Sequence, residues 1–441
     1  MEAASQRMKH SQFNYIVPIP DTDDVLVYNF ATEALMRLDP VRKKLFEFAD
    51  QLPADNGLLK KWKQNGFVTD VDEVEAIIEA ENKRLDEYCK RTDKVLRLTI
   101  HVTSLCNFGC PYCFQSRRSG HMPAEVQDAI VRYTEHKLST GEYKRMTAVW
   151  FGGEPLVASD IIESLGHRLM DIAGRYDAGF SSSLQTNAYL LDQDMVDMLE
   201  GVNCRFVTLT LDGYGSYHDA TRHLKDGSPT FDHIIHNLRN IKTDMVLNVR
   251  SNLDAGNFRS YNELRQLILD IAEETGNEMR CSPSYVHNSE EGLKRGYHAD
   301  SIRKQDYLEI LGTTDLIERS HAYSRRSSFC YIVQPDNYLI DDQGFFFPHC
   351  NEYVTDRSRA YCNILDLNED SYDLPDRKHL EFAKNNFLPR ESERCMKCRM
   401  LPVCYGGCMV TRLVEGRTIC PDEFHDPDGY IMKKYRTLAS D

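Results

Sequence analysis

The chain has 441 residues, of which 41% are hydrophobic and 27% are charged, a composition typical of a globular protein with two or three domains. Its formal net charge of −15 repels phosphate backbones, which argues against nucleic acid as a partner. The first residues contain no apolar segment of signal-peptide length, and no window has the length of a membrane span. We therefore expect a cytoplasmic protein with neither a nucleic-acid nor a membrane partner.

Residues 1–92 form a first predicted domain, in which strands and helices mix. Two short strands flank the turn-forming sequence PDTDD, and four helical patterns follow. The strands are predicted at 12–19 and 25–30, and the helices at 31–38, 41–52, 58–68 and 72–88. The pattern predicts a small α+β domain that is winged-helix-like. Such a domain could hold a peptide by adding a strand to its sheet, or it could act only as a packing cap.

Residues 93–320 form a second predicted domain, in which strand and helix alternate six times. This alternation predicts an α/β fold, a partial (β/α)6 TIM barrel with parallel strands and an active site at their carboxyl ends. The strands are predicted at 95–102, 146–151, 181–186, 205–211, 245–253 and 279–286. The helices are predicted at 123–138, 161–174, 192–201, 231–242, 261–275 and 302–317. Residues 321–441 form a third predicted domain, whose cysteine-dense loops and sparse apolar periodicity indicate a fold that depends on metal.

The chain contains 14 cysteines, and a reducing compartment leaves little use for disulfides, so these thiols indicate metal or cluster ligands. Cys106, Cys110 and Cys113 follow the first barrel strand with the spacing C-x3-C-x2-C. A [4Fe–4S] cluster takes four thiolates, so a loop that supplies three leaves one iron open to a small molecule. A zinc site would need a fourth ligand nearby, and the loop has none.

This loop, with Tyr112 between its last two cysteines, resembles the cysteine motif of the radical S-adenosylmethionine (SAM) superfamily. The resemblance implies that SAM chelates the open iron. An electron from the cluster then cleaves SAM and produces a 5′-deoxyadenosyl radical. It also implies flavodoxin or ferredoxin as the reductant.

Three further segments resemble this superfamily, and each follows a predicted strand. The sequence FGGEP at 151–155 resembles its GGEP turn, QTN at 185–187 matches the position of its ribose-facing polar residues, and LDG at 211–213 precedes an arginine. The resemblance implies SAM contacts from Tyr112, Gly152, Gly153, Glu154, Pro155, Gln185, Asn187 and Arg222. Glu154 would support the SAM ammonium, and the planar fork of Arg222 would pair with the SAM carboxylate. Alternatively, Arg222 is a solvated surface residue and Asp212 only caps a turn.

The C-terminal cysteines resemble the SPASM extension of peptide-modifying members, which holds two auxiliary [4Fe–4S] clusters. Together with the SAM cluster, this implies three [4Fe–4S] clusters. The resemblance assigns the distal cluster to Cys395, Cys398, Cys404 and Cys420, and the proximal cluster to Cys330, Cys350 and Cys408. The fourth proximal ligand is left open between Cys362, an oxygen ligand and an iron free to bind substrate. A zinc site at Cys395, Cys398, Cys404 and Cys408 is the alternative.

The resemblances favour a maturase that abstracts hydrogen from a ribosomally synthesised precursor peptide and installs a carbon–carbon or thioether crosslink. The N-terminal domain resembles the peptide-recognition modules of such maturases. The alternative is an anaerobic sulfatase-maturing enzyme, which forms formylglycine. That family carries an aspartate base directly after the second proximal cysteine, where this chain has Asn351. A non-enzymatic iron–sulfur or zinc protein is the third hypothesis.

Overall fold

The computed structural model describes residues 8–115, 120–286, 289–300, 310, 330–349, 356–416, 418, 420 and 426–440. The chain groups into two compact units. The first contains residues 1–89, 319–330 and 381–441, and the second contains residues 90–318 and 331–380. Each unit has its own sheets and core, and the three predicted domain ranges stay predictions.

From residue 8 to residue 89, the described part of the first unit contains five strands and three helices. Strands β2, β3 and β4 form an antiparallel sheet in that order, and β1 pairs with β5. The strands are β1 Lys9–His10, β2 Asn14–Pro18, β3 Val25–Asn29, β4 Leu35–Leu38 and β5 Val68–Thr69. The helices are α1 Pro40–Glu47, α2 Gly57–Gln64 and α3 Glu73–Cys89, with a short 3-10 turn at Ala49–Gln51.

The prediction of a helix at residues 31–38 is wrong, because this segment contains β4. The chain reverses directly after β3, where the Asn29 side chain accepts hydrogen bonds from the backbone N–H groups of Ala31 and Thr32. Glu33 adopts φ +59°, a left-handed conformation that no helix contains. The five residues of β3 are all buried, so the strand gains a partner on each side, and β4 is the second of these.

The second unit is built on six parallel strands, in the order β11-β10-β9-β8-β7-β6. This arrangement confirms the predicted parallel sheet, although the helix predicted at 302–317 lies outside the described residues except for Ile310. The strands are β6 Lys94–Thr103, β7 Tyr143–Gly152, β8 Gly179–Thr186, β9 Cys204–Thr210, β10 Val246–Leu253 and β11 Met279–Tyr285. The helices are α4 Ala124–Ser139, α5 Ser159–Arg175, α6 Gln193–Gly201, α7 Ser216–Asp219, α8 Phe231–Asn240, α9 Tyr261–Thr275 and α10 Glu290–Lys294.

Alternate residues of each barrel strand face opposite sides of the sheet. In β6, Leu96, Leu98, Ile100 and Val102 are 0% exposed, as expected for the side that the helices cover. Gly166 of α5 lies directly against Val202 and close to Trp150 of β7 on that side. We call the opposite side the inner face. On β7 to β11 its side chains are partly exposed, and most of them are polar.

Three more strands extend the barrel sheet beyond β6. Strand β12 (Asn337–Ile340) pairs in parallel with β6, and β13 (Phe345–Pro348) and β14 (Cys362–Asn363) follow in antiparallel order. The remaining helices are α11 Leu374–Asn386, α12 Glu393–Met396, α13 Leu401–Cys404, α14 Met409–Glu415 and α15 Pro427–Ser440. Across the described ranges, the helices are too short or too polar to traverse a bilayer.

Among the described residues of the N-terminal sheet, Asn29 has the side chain that forms the most hydrogen bonds. It is 0% exposed, and its amide nitrogen donates to the hydroxyl of Ser11, the side chain of Asn14 and the carbonyl of Gly66. We expect Asn29→Ala to lower the free energy of unfolding of this unit by about 3 kcal/mol. The substitution leaves the buried groups that bond to the Asn29 side chain, both acceptors and donors, without their partner.

Tryptophan fluorescence during denaturation measures this loss. The chain has two tryptophans, and Trp62 lies in the core of the first unit, so a Trp150→Phe background isolates its signal. The control is Asn65→Ala, which removes one exposed hydrogen bond to the Lys61 carbonyl and should change stability by less than about 0.5 kcal/mol. Equal effects of the two variants would contradict the central role of Asn29.

Candidate active site

The three-cysteine loop begins where β6 ends, at the carboxyl edge of the parallel sheet. The segment that follows α7 fixes its backbone, since Gly109 N–H donates to the His223 carbonyl at 2.8 Å and Lys225 N–H donates to the Asn107 carbonyl at 3.2 Å. At the far end of the loop, the Arg295 guanidinium donates to the carbonyls of Cys113 and Gln115. The loop is therefore held at both ends by segments distant in sequence.

Two thiols of this loop, those of Cys106 and Cys110, are largely buried. Burial raises the pKa of Cys106 to about 11 and that of Cys110 to about 12, and the Arg222 charge opposes both shifts. Cys106 Sγ also has nearby N–H donors, from the Phe108 backbone at 3.4 Å and from Asn187 Nδ2 at 4.0 Å. Donors around a sulfur stabilise a thiolate, which is the form that ligates iron.

The glycines of the FGGEP turn lie directly against the cysteine loop. A Cβ atom at Gly152 would overlap the carbonyl oxygen of Thr103, and one at Gly153 would overlap that of Leu105. Two backbone hydrogen bonds join the segments, from Gly153 N–H to the Thr103 carbonyl at 2.9 Å and from Glu154 N–H to the Leu105 carbonyl at 2.8 Å. Glycine is required here by the approach of one loop to another, which the sequence pattern alone does not indicate.

Glu154 is 1% exposed, and its carboxylate holds neighbouring strand ends together. It accepts hydrogen bonds from the Thr186 hydroxyl at 2.6 Å, the Asn187 N–H at 2.7 Å and the Leu156 N–H at 3.1 Å. Burial raises the pKa of Glu154, and these three hydrogen bonds oppose the shift. Pro155 is buried at the start of a 3-10 turn, and a contact of either residue with SAM stays a prediction.

The two polar residues at the end of β8 point in different directions. Asn187 is 4% exposed, and its Nδ2 donates to Asn107 Oδ1 at 2.7 Å, so it ties this strand end to the cysteine loop. Gln185 lies on the inner face, in register with Thr208 of β9. Asn107 sits within the cysteine motif, but the C-x3-C-x2-C spacing indicates only the thiols and gives no role to the amide between them.

A buried polar network connects the cysteine loop to the end of β9. The Tyr112 hydroxyl donates to Asp212 Oδ2 and accepts from Arg222 Nη1 at 2.7 Å. Asp212 is 0% exposed and Arg222 is 9% exposed, so the alternative of a solvated surface arginine is wrong. Burial raises the pKa of Asp212, and the Arg222 charge opposes that shift.

Asp212 also connects neighbouring strands of the barrel. Its Oδ1 accepts from Asn252 N–H at 3.0 Å, and its backbone carbonyl accepts from Asn257 Nδ2 at 2.8 Å. His218 is 0% exposed and accepts from the Asp212 N–H through Nδ1 at 3.2 Å. Burial lowers the pKa of His218 well below its usual value, so the ring is neutral and can accept this hydrogen bond.

Two donors near the cysteine loop fit an additional acceptor. Arg222 Nε and Asn107 Nδ2 are buried, and within the described ranges neither has a hydrogen-bond acceptor. A buried donor without an acceptor costs free energy. An anionic cluster with its sulfur ligands, or the carboxylate of a chelating amino acid, would supply such acceptors. The residues present therefore fit an iron–sulfur cluster with SAM.

The C-terminal cysteines of the first unit lie near one another. Cys395 and Cys398 both act on the pKa of Cys404, which burial raises to about 11, and the Gly406 N–H donates to Cys404 Sγ at 3.4 Å. Cys420 is exposed, and its Sγ accepts from Arg394 Nη2 at 3.6 Å. These thiols and the donors beside them fit a second site for a metal or an iron–sulfur cluster.

The predicted proximal ligands are less complete in the structure. Cys330 and Cys408 are exposed, Cys350 and Asn351 lie outside the described residues, and Cys362 belongs to β14 in the second unit. No three His, Cys, Asp or Glu side chains in the described ranges converge on a single metal ion. The thiolates of a cube bind separate iron atoms, so a cluster does not require such convergence.

Comparison with known proteins gives one family match. Residues 100–271 match the model of the Radical SAM superfamily. Among curated proteins, the cysteine-type anaerobic sulfatase-maturating enzyme of Clostridium perfringens is 25% identical over 341 residues, which cover 70% of this chain and 86% of that protein.

Two solved structures share the fold. The structure of anSMEcpe with bound AdoMet and the Cp18Cys peptide has a TM-score of 0.56 and 18% identity, and the match covers 78% of this chain and all of that one. Streptococcus suis SuiB bound to the precursor peptide SuiA has a TM-score of 0.52 and 16% identity, and the match covers 92% of this chain and 96% of that one. The chain thus contains a Radical SAM superfamily domain at residues 100–271, and it is an enzyme.

Proposed function

We propose that this enzyme is a peptide maturase that abstracts hydrogen from a ribosomally made precursor peptide and installs a carbon–carbon or thioether crosslink. One observation carries the radical SAM chemistry of this proposal. A loop with three thiols lies against the carboxyl ends of β7 and β8, and two buried donors beside it lack acceptors among the described residues. This is the arrangement expected around a cluster with one open iron.

In this proposal Cys106, Cys110 and Cys113 hold the SAM-binding [4Fe–4S] cluster. When bound, the cluster supplies the electron for reductive cleavage of SAM, and SAM supplies the hydrogen-abstracting group. Arg222 Nη1 donates to the Tyr112 hydroxyl, and Nε, which has no acceptor among the described residues, would donate to the SAM carboxylate. Asp212 balances the Arg222 charge, so the guanidinium remains oriented before SAM arrives.

The peptide assignment is supported by the extent of the structural likeness. The match to SuiB, which was solved with a precursor peptide, covers 92% of this chain, whereas the match to anSMEcpe covers 78%. The share left uncovered by anSMEcpe, about a fifth, is comparable in length to the N-terminal region. That region offers β2 as an edge strand, and an extended peptide can add to such an edge.

The remaining cofactors and partners belong to the same proposal. Cys395, Cys398, Cys404 and Cys420 would hold a distal auxiliary cluster, and Cys330, Cys350 and Cys408 a proximal one. Flavodoxin or ferredoxin would supply electrons in the cytoplasm. The domain ranges 1–92, 93–320 and 321–441 would correspond to peptide recognition, radical chemistry and auxiliary clusters.

The second candidate is an anaerobic sulfatase-maturing enzyme, favoured by the 25% identity to the Clostridium perfringens protein. Against it stands Asn351, at the position where that family carries an aspartate base. An amide cannot take up a proton at neutral pH.

The first prediction for this site concerns Cys110. We expect Cys110→Ala to abolish the dithionite-dependent formation of 5′-deoxyadenosine from SAM, because two thiolates cannot retain the cluster. The matched control is Cys204→Ala, which removes another buried thiol, on β9, and should retain cleavage. Full cleavage by the Cys110 variant would refute the assignment of this loop.

The second prediction concerns iron content. Three cubes require about twelve irons per chain after anaerobic reconstitution, and Cys395→Ala with Cys398→Ala should lower the content to about eight. Iron, sulfide and zinc analysis provides the measurement. A result of about four irons per wild-type chain, together with bound zinc, would show that the C-terminal cysteines hold zinc and not auxiliary clusters.

The third prediction separates the two maturases. Short peptides encoded beside the gene, co-expressed with the enzyme, should lose two hydrogens, about 2 Da by mass spectrometry, for each carbon–carbon or thioether link closed. A cysteine-containing sulfatase peptide should remain unmodified. Its conversion to formylglycine, with the neighbouring peptides unchanged, would establish the second candidate instead.

A further inference from the structure

The inner face of the barrel is polar and partly open on β7 to β11. Its positions include Thr147, Ser181, Ser183, Thr208, Asn248 and Ser282, all intermediate in exposure. Complete barrels fill this space with bulky branched side chains. Small hydroxyl and amide groups leave room for a ligand and offer it hydrogen bonds.

The charges on this face have one sign. Within the described strands β6 to β11, no inner position carries Asp or Glu, whereas Arg97, Arg145, Arg250 and Arg280 all lie there. Arg280 forms an ion pair with Glu278, and Arg97 lies over the Tyr331 ring. The inner face is thus cationic although the whole chain has a net charge of −15.

Of the four arginines on this face, Arg250 is the nearest in sequence to the buried polar network around Asp212, because Asn252 of that network lies two residues further along β10. Its backbone carbonyl accepts a hydrogen bond at 3.0 Å from the N–H of Leu211, the residue directly before Asp212. Its side chain donates to Ser284 Oγ at 2.9 Å and to Asn252 Oδ1 at 3.2 Å, and no carboxylate of the described residues pairs with it. These neutral acceptors orient the guanidinium without cancelling its charge, and further N–H donors remain.

We propose that Arg250 binds an acidic side chain of the peptide substrate, so that the segment entering the barrel carries Asp or Glu near the residue that is modified. This inference rests on the proposed function and specifies its substrate class. An exposed guanidinium with fixed orientation favours a carboxylate, which it can bind through two parallel hydrogen bonds. Arg222, which is buried beside the cysteine loop, remains the partner for the SAM carboxylate.

Calorimetric titration of the anaerobically reconstituted holoenzyme tests this inference with two amidated probe peptides, Gly-Glu-Ser-Glu-Gly and Gly-Gln-Ser-Gln-Gly. We expect the glutamate peptide to bind about tenfold more tightly at low ionic strength, as one charge-assisted pair allows. Arg250→Gln should abolish this preference. Arg145→Gln, which removes an exposed cation at the amino end of β7, should retain it. Equal binding of the two peptides by the wild type, or a preference that survives Arg250→Gln, would overturn the inference.

Two further measurements separate this site from others. The glutamine peptide with a free C-terminus should bind no better than its amide, since the proposal assigns a side-chain carboxylate. SAM should still change the electron paramagnetic resonance spectrum of the reduced Arg250→Gln variant, and loss of that change would assign Arg250 to SAM. If the wild type forms no 5′-deoxyadenosine, the proposed function fails, whereas the calorimetric preference still reports on Arg250 alone.

Discussion

The close approach of two backbone segments fixes the geometry on which this site depends. Gly152 and Gly153 bring the end of β7 against the carbonyls of Thr103 and Leu105, at a distance that no Cβ atom tolerates. The N–H groups of Gly153 and Glu154 then satisfy those carbonyls, so the cysteine loop begins from a defined backbone. Glu154 continues the connection to β8, because its buried carboxylate accepts from Thr186 and Asn187. The three thiols are thus positioned by strand ends that are separate in sequence.

Much of the barrel could be predicted from sequence because six strand patterns alternate with amphipathic helices along the chain. The predicted helix at 31–38 failed for a local reason, since Asn29 and the left-handed Glu33 reverse the chain and a fully buried β3 gains β4 as a partner. The pairing of β12 with β6 could not be predicted either. A four-residue strand carries no signal that identifies a partner more than 230 residues away.

The candidate site shows the same division between local and distant information. The cysteine motif and the FGGEP turn are local patterns, and their residue types identify them. The Tyr112–Asp212–Arg222 network joins residues about 100 positions apart, so its members could be suspected but not connected. The family resemblance predicts SAM contacts from Gly152 and Gly153, and the structure adds a packing role that the motif alone did not indicate. Arg295 carried no signal, because an arginine that binds backbone carbonyls has no sequence pattern.

Local charge at the site differs from the charge of the whole chain. A net charge of −15 describes the average surface, and a peptide selected by that average would be basic. The parallel strands sort their residues by face, and in the described strands their inner positions carry arginine without a carboxylate. Screening limits the reach of the outer charges to about 8 Å at physiological ionic strength. If the Arg250 proposal holds, a substrate segment within the barrel would be closer to these guanidinium groups than to the outer charges. The arginines on the inner face, more than the net charge, would then determine which peptide binds.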